Sequence, residues 1–424
     1  MDAFLIEGLR PLTGRVEVSG SKNAALPLLF ATILCDGVFQ FEHMPRLWDI
    51  ETALAILTAL GSHCFWDKEK GTVHIESHIR LQRAPYDLVR KMRASVLVLG
   101  PLLARFGHAE VSLPGGCAIG ARPVDRHLKA LETMGAHMDV SGGYIVAHAP
   151  HGLKGSTVSL GGETVTGTEN LLMAACLAKG PTLLLPAARE PEVAALAELL
   201  VRCGADISGM GSTQLRIVPP ARLVPPSQPM SIPPDRIEAA TFLVAGAVTR
   251  GEVSVERCPI EELHSIRTVL SASGVLLKQN GDTLTVSTPQ KLEPPPYVTT
   301  APYPGFPTDM QAQLTTLCTQ IEGKSVVRET IFENRFQHAA ELRRLGAHIS
   351  VRGQEATIHG GFQLKGAPLM ATDLRASASL VLAGLVAQGE TLVRRIYHLD
   401  RGYQRMDEKL QHLGAKIKRI PSDA

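Results

Sequence analysis

Leu113 to His127 reads Leu-Pro-Gly-Gly-Cys-Ala-Ile-Gly-Ala-Arg-Pro-Val-Asp-Arg-His. Its glycines let the backbone turn sharply and let a ligand approach it closely, and Cys117 and Arg122 are side chains with obvious chemistry there. A thiol in such a loop is easily brought onto a bound molecule. Taken alone, the same residues also describe a tight turn whose cysteine is a small apolar filler. Near the start, Val16 to Gly20 has the pattern of a strand delivering Ser21-Lys22-Asn23-Ala24-Ala25-Leu26-Pro27, a turn that opens a helix. A lysine and an amide at a strand-to-helix junction can bind phosphate together with the free helix amides. The G-x-x-x-x-G-K-[ST] spacing of a Walker A loop is absent, and a lone Lys22 is equally a surface lysine. Lys91-Met92-Arg93-Ala94-Ser95 begins an apolar helix, where the dipole favours an anion beside Arg93.

Later come Thr308-Asp309-Met310, Glu333-Asn334-Arg335, Thr372-Asp373-Leu374-Arg375 and Asp400-Arg401-Gly402-Tyr403. Each lies just after a predicted strand or just before a predicted helix. Any one Asp/Arg pair is accounted for by a structural salt bridge. Their accumulation at corresponding ends of repeated units is different, because junctions at one end of a parallel arrangement converge on a site.

The elements that must position these residues repeat along the chain. A helix-like apolar segment ends in glycine and runs into an alternating strand at Gly37, Gly107, Gly180, Gly251, Gly323 and Gly389, about 70 residues apart. Between them a leucine-rich helix closes on Gly61, Gly135, Gly204, Gly274, Gly346 and Gly414 and is followed by two short strands around a turn. Glycine just past a helix is the expected left-handed C-cap, and alternation around a Gly-containing turn is the hairpin signal. The unit is therefore strand, helix, strand, helix, hairpin, repeated six times. From Val218 to Pro234 six prolines stand in pairs, which excludes regular helix and central strand and predicts an exposed interdomain connection. Two domains of three units each follow.

Composition supports this frame. The chain has 424 residues, beyond the size at which single cores stop growing, and its 45% hydrophobic and 20% charged content is that of a globular protein. A net charge of +2 with 4% aromatics and no basic run advertises neither phosphate tracking nor base stacking, so no nucleic-acid partner is expected. Seven scattered cysteines without a C-x-x-C pair argue against a disulfide framework and a zinc site, and fit a reducing compartment. Neither a signal peptide nor an apolar run long enough to span a bilayer is visible, so a soluble cytoplasmic protein without a membrane partner is expected.

Gly20 to Ala24, Met92 to Ser95, Pro114 to Cys117 with Gly120 to Asp125, Pro307 to Gln311, Glu333 to Phe336, Ala371 to Ser377 and Asp400 to Tyr403 together form an ordered set. The set resembles the enolpyruvyl transferase family, in its branch acting on UDP-N-acetylglucosamine, from about Leu5 to about Ile420. The resemblance implies an inside-out α/β barrel fold of two similar domains, each of three βαβαββ-type repeats, with the active site in the interdomain cleft. It also implies that the N-terminal strand joins the C-terminal half, giving domains of 1–21 with 234–424 and of 22–233. The implied reaction moves the enolpyruvyl group of phosphoenolpyruvate to the sugar 3'-hydroxyl by addition and elimination, opening peptidoglycan precursor synthesis.

Its demands are an acid and a base on opposite sides of the reacting carbon and fixed cations for a carboxylate and a phosphate. By resemblance Cys117 is the acid, and can also add covalently to phosphoenolpyruvate. Asp309 takes the hydroxyl proton or orients the hydroxyl. Lys22, Arg122 and Arg401 hold the anionic groups, supported by Arg335, Asp373 and Arg375, and Asn23 holds the phosphate and the tetrahedral intermediate. The nucleotide falls to Arg93, to Arg122, Pro123, Val124, Asp125 and Arg126, and to Val165, Thr166 and Gly167 near the diphosphate, with Asp309 and Ile331 near the sugar. Some relatives carry a lysine where Glu163 stands here, so backbone amides are expected to serve the diphosphate. No cofactor or metal is required, and a monomer is expected. Two alternatives stay open: the sister transferase acting on shikimate 3-phosphate, and a non-catalytic repeat scaffold.

Overall fold

The computed structural model describes residues 2–113, 124–289, 291–295 and 297–421. Cys117, Arg122, Pro123 and the rest of the 114–123 stretch lie outside the described residues. The described residues form six four-stranded sheets, all with one strand order. The third repeat illustrates it: Thr157–Ser159, helix Val165–Ala175, Thr182–Leu185, helix Pro191–Arg202, then hairpin Asp206–Ser208 and Leu215–Val218. The leading strand pairs in parallel with the second, whose other edge takes the last hairpin strand antiparallel. A helix is needed between the first two because parallel neighbours require a crossover. The strand, helix, strand, helix, hairpin unit read from the glycines is the observed unit.

Why glycine recurs is visible in the backbone. All six glycines of the helix-closing set have positive φ, from 84° to 120°. In the other set Gly251 departs from positive φ. A Cβ there would fall 1.9 Å from the Leu12 carbonyl oxygen, so the constraint is close approach of the neighbouring chain.

Three sheets borrow a strand from far along the chain. Asp2–Glu7 lies antiparallel between Glu390–Arg394 and Lys416–Pro421, completing the sixth repeat. Thr13–Glu17 is the parallel leading strand of the fourth, beside Glu252–Glu256. Met230–Ser231 leads the first, beside Gly37–Glu42. This last strand corrects the expectation of an exposed connection, since Leu223, Met230 and Ile232 are buried. Proline density is tolerated because the strand is at a sheet edge.

Two compact units result, one of residues 2–19 and 234–421, the other of residues 20–113 and 124–233, each with its own apolar core. In the first unit the helices Arg236–Val248, Gln311–Thr319 and Leu374–Val386 pack on one another and are buried almost all round. In the second, Lys22–Ala31 and Val165–Ala175 are buried along most of their length. A helix apolar on every face belongs in the interior, so helices lie inside and sheets outside within each unit.

Candidate active site

In the unit of residues 20–233, Ser21 caps the Lys22–Ala31 helix by accepting from the Ala24 amide at 3.3 Å. Lys22 and Asn23 thus open a buried helix. Lys22 Nζ pairs with Asp49 Oδ2 at 3.1 Å, and the two side chains are only 13% and 4% exposed. Lys22 is therefore not the surface lysine that its motif alone allowed. Pro27 sits inside this helix and has no amide to donate, which removes the helical bond to the Asn23 carbonyl.

Arg93 opens a 3-10 segment, Arg93–Val98, that continues into the α-helix Leu99–Phe106, rather than an α-helix directly. Asn170, in the Val165–Ala175 helix, ties this segment down: its Nδ2 donates to the Val96 carbonyl at 3.0 Å and its Oδ1 accepts from the Gly100 amide at 2.6 Å. His127 lies 3.4 Å from the same amide nitrogen. Burial, with the nearby Arg93 charge, brings the His127 imidazole down to about 4, so it is neutral beside that cation.

The helix that carries Val165, Thr166 and Gly167 is capped by Thr164, whose Oγ1 accepts from the Gly167 amide at 3.3 Å. Val124 is buried, and Asp125 and Arg126 open the helix Asp125–Thr133. The Arg126 guanidinium lies over Gly162, where a Cβ would come within 2.9 Å of Nη1. Arg126 is thereby brought to the segment that holds Val165–Gly167. Glu163 faces Arg189 at 3.8 Å.

In the other unit Asp309 is held between two guanidinium groups. Arg335 Nη2 donates to Oδ1 at 2.7 Å and Arg375 Nη2 to Oδ2 at 2.9 Å. Both arginine side chains are 5% exposed, whereas Asp309 retains 25%. Burial alone would raise this carboxyl, but Arg375 and Arg335 outweigh it and hold it well below the usual carboxylate range. Arg335 Nη1 also donates to Thr308 Oγ1, which donates to Glu329 Oε2 at 2.8 Å. Glu329 is buried and accepts from the amides of Ile331 and Phe332, which fixes the position of Ile331.

Asp373 caps the Leu374–Val386 helix, accepting from the amides of Arg375 and Ala376 at 3.0 Å. The Arg375 guanidinium lies 5.4 Å from the Tyr403 ring centre, and the Tyr403 hydroxyl contacts Thr241 Oγ1 at 3.0 Å and Gln313 Nε2 at 3.2 Å. Arg401 ends the short helix Tyr397–Asp400, and His398 senses the charges of both Arg401 and Asp373.

The predicted residues thus fall into two groups, one in each unit. Asp309, Ile331, Arg335, Asp373 and Arg375 form one connected network, while Lys22 and Arg93 anchor separate arrangements. Asp49, Asn170 and Glu329 were missed. Asn170 carried a faint signal, as an amide immediately before the apolar run Leu171-Leu172-Met173-Ala174-Ala175, but Asp49 and Glu329 carried none. Among the described residues no group of three or more His, Cys, Asp or Glu could hold a metal, and no helix is long and apolar enough to cross a membrane. The six described cysteines are free; Cys64 is partly buried and the others buried. Burial pushes the Cys35 thiol up to about 11 and those of Cys203, Cys258 and Cys318 to about 12.

A family model described as EPSP synthase (3-phosphoshikimate 1-carboxyvinyltransferase) matches residues 6–410. A UDP-N-acetylglucosamine 1-carboxyvinyltransferase of Wolinella succinogenes is 52% identical over 420 residues, and one of Desulfovibrio desulfuricans 53% identical over 419 residues, each alignment covering 99% of both chains. The chain belongs to the enolpyruvyl transferase family. Among solved structures, the enolpyruvyl transferase NikO from Streptomyces tendae aligns with a TM-score of 0.89 at 27% identity, covering 99% of both chains. An EPSP synthase from Acinetobacter baumannii, at 18% identity and a TM-score of 0.77 over 99% of this chain, shares the fold. The inside-out α/β fold of this enolpyruvyl transferase family is therefore the fold of this chain.

Proposed function

We propose that the protein transfers the enolpyruvyl group of phosphoenolpyruvate to the 3'-hydroxyl of UDP-N-acetylglucosamine, releasing phosphate, the first committed step of peptidoglycan precursor synthesis. The observation that carries this reading is about one-half identity, end to end, to relatives named for that activity. In the addition step a C–O bond forms at C2 of the enolpyruvyl group as a proton reaches C3. In the elimination step the C2–O bond to phosphate breaks and a C3 proton leaves, restoring the alkene. Cys117 supplies the C3 proton. Lys22, Arg122 and Arg401 take the carboxylate and phosphate, with Asn23 on the tetrahedral intermediate, and Arg335, Asp373 and Arg375 support them. Arg93, Val124, Asp125, Arg126 and Val165–Gly167 serve the nucleotide, and Ile331 the sugar.

Of the two roles open to Asp309, its surroundings favour orientation. A carboxylate engaged by two guanidinium groups is a strong, permanently ionised hydrogen-bond acceptor and a weak proton acceptor. It aligns the 3'-hydroxyl, and removes its proton only if an arginine pair loosens. The reading places a cofactor-free monomer in the cytoplasm, where the six free cysteines among the described residues stay reduced.

The test is phosphate release from phosphoenolpyruvate with UDP-N-acetylglucosamine against shikimate 3-phosphate, with Cys117→Ser in parallel. Release with the nucleotide sugar alone, lost in the variant, is expected; release with shikimate 3-phosphate alone would overturn the substrate. A phosphonate epoxide such as fosfomycin should add to Cys117, because burial makes most other thiols inert. Intact-mass and peptide analysis finding the adduct on another cysteine would remove Cys117 from its role.

A further inference from the structure

Arg419 lies in the last strand, Lys416–Pro421, opposite Phe4 of the first strand. Its guanidinium is 5.0 Å from the Phe4 ring centre. It makes a two-pronged contact with Asp400, Nη1 to Oδ2 at 2.9 Å and Nη2 to Oδ1 at 2.8 Å. A second such contact reaches Asp407, Nε to Oδ2 at 3.2 Å and Nη2 to Oδ1 at 3.4 Å, and Nη1 also reaches Asp2 at 3.5 Å. Asp400 and Asp407 bracket the segment that carries Arg401, Gly402 and Tyr403. Gly402 is pressed on Leu374, where a Cβ would meet Cδ2 at 2.5 Å, and the Tyr403 ring faces Arg375.

We infer that Arg419 is a positioning residue for the reaction: it clasps both ends of the 400–407 turn and so sets where Arg401 presents its charge to the anionic substrate. The inference rests on the assignment of Arg401 to phosphoenolpyruvate. The geometry demands a fork. Only a planar guanidinium satisfies two carboxylates side by side, and a lysine ammonium at this position can hold one of them well. Arg419 touches neither substrate nor reacting atoms in this scheme. Its effect therefore passes through Arg401, and falls on recognition of phosphoenolpyruvate rather than on the fold at large.

The experiment is steady-state kinetics on the full chain for R419M, R419K, R401K and the double variant R419M/R401K, varying each substrate in turn. R419M is expected to raise KM for phosphoenolpyruvate about tenfold and R419K less, with kcat changed less than about threefold. KM for UDP-N-acetylglucosamine, which a general loosening would also move, should stay within about twofold. In the double variant the R419M factor should largely vanish against the R401K background, the non-additivity expected of residues acting through one another. If R401K raises KM and R419M adds its full factor on top, the role of Arg401 stands and the clasp falls. If R401K leaves KM for phosphoenolpyruvate unchanged, the assignment of Arg401 falls and the inference with it. Equal rises in both KM values would also overturn it, as structural damage.

Discussion

Asp309 lies between Arg335 and Arg375, and that arrangement decides its chemistry more than its own residue type does. The carboxyl is held well below the usual range, so it stays ionised from pH 5 upward and contributes no acid limb to kcat/KM there. In Arg375→Met one cation is gone while burial, which favours the protonated form, remains. The carboxyl then rises and an acid limb should enter as pH falls below about 6. A kcat/KM profile of R375M identical in shape to the parent would contradict this account. Asp309→Asn should lower kcat by about a hundredfold or more, in line with losing a group aimed at the reacting hydroxyl. Retention of most of kcat would remove Asp309 from the machinery. The residue types of this network were legible in the sequence, because acidic and basic residues stood at successive strand-to-helix junctions. Their pairing was not legible. Which arginine meets which oxygen is set by helices more than 60 residues apart along the chain, as in the Arg375 contact with Asp309.

At the scale of elements, Asn170 links two segments that sequence separates. Replacing it with leucine strands the Gly100 amide and the Val96 carbonyl in an apolar interior, at a cost of about 2 kcal/mol. The expected outcome is a lower denaturation midpoint together with a raised KM for the nucleotide sugar, since Arg93 begins the segment that Asn170 anchors. Buried histidines give a second expectation. His127 and His338 are neutral in the fold, with burial bringing each down to about 4. The unfolded chain takes up these protons near pH 6.5, so it binds more protons than the fold between about pH 6.5 and pH 4. Stability is therefore full above about pH 6.5 and is lost as pH falls towards 4, by about 3 kcal/mol for each ring. Urea midpoints compared at pH 7 and pH 5 should converge in His127→Asn and His338→Leu; an undiminished difference in both would exclude the two rings as its source. The units themselves were legible, because a glycine of positive φ closes the second long helix of each one. The strand Met230–Ser231 was not, being two residues long inside a proline-rich stretch and defined only by its partner Gly37–Glu42.

For the whole molecule, six units of one element succession were readable from recurring glycines, yet their strand order and borrowed strands were not, since nothing local states where a strand will pair; only the family resemblance placed the N-terminal strand with the C-terminal half. The unit of residues 20–113 and 124–233 contains every strand of its three sheets, none of them borrowed from the other unit. Expressed alone, it should give a cooperative unfolding transition, whereas 234–424 alone should lack one, missing the strands Asp2–Glu7 and Thr13–Glu17. Cooperative unfolding of 234–424 without those strands would refute this.

The strand Asp2–Glu7 also sets a timetable. It is translated well before its two neighbours, Glu390–Arg394 and Lys416–Pro421. At a typical elongation rate that interval is about 20 to 80 seconds. During it the apolar residues Phe4 and Ile6, fully buried at the end, have no native partner. The middle of the chain can fold meanwhile, so the nascent protein carries an unpaired apolar strand that needs shielding from aggregation until both neighbours have emerged.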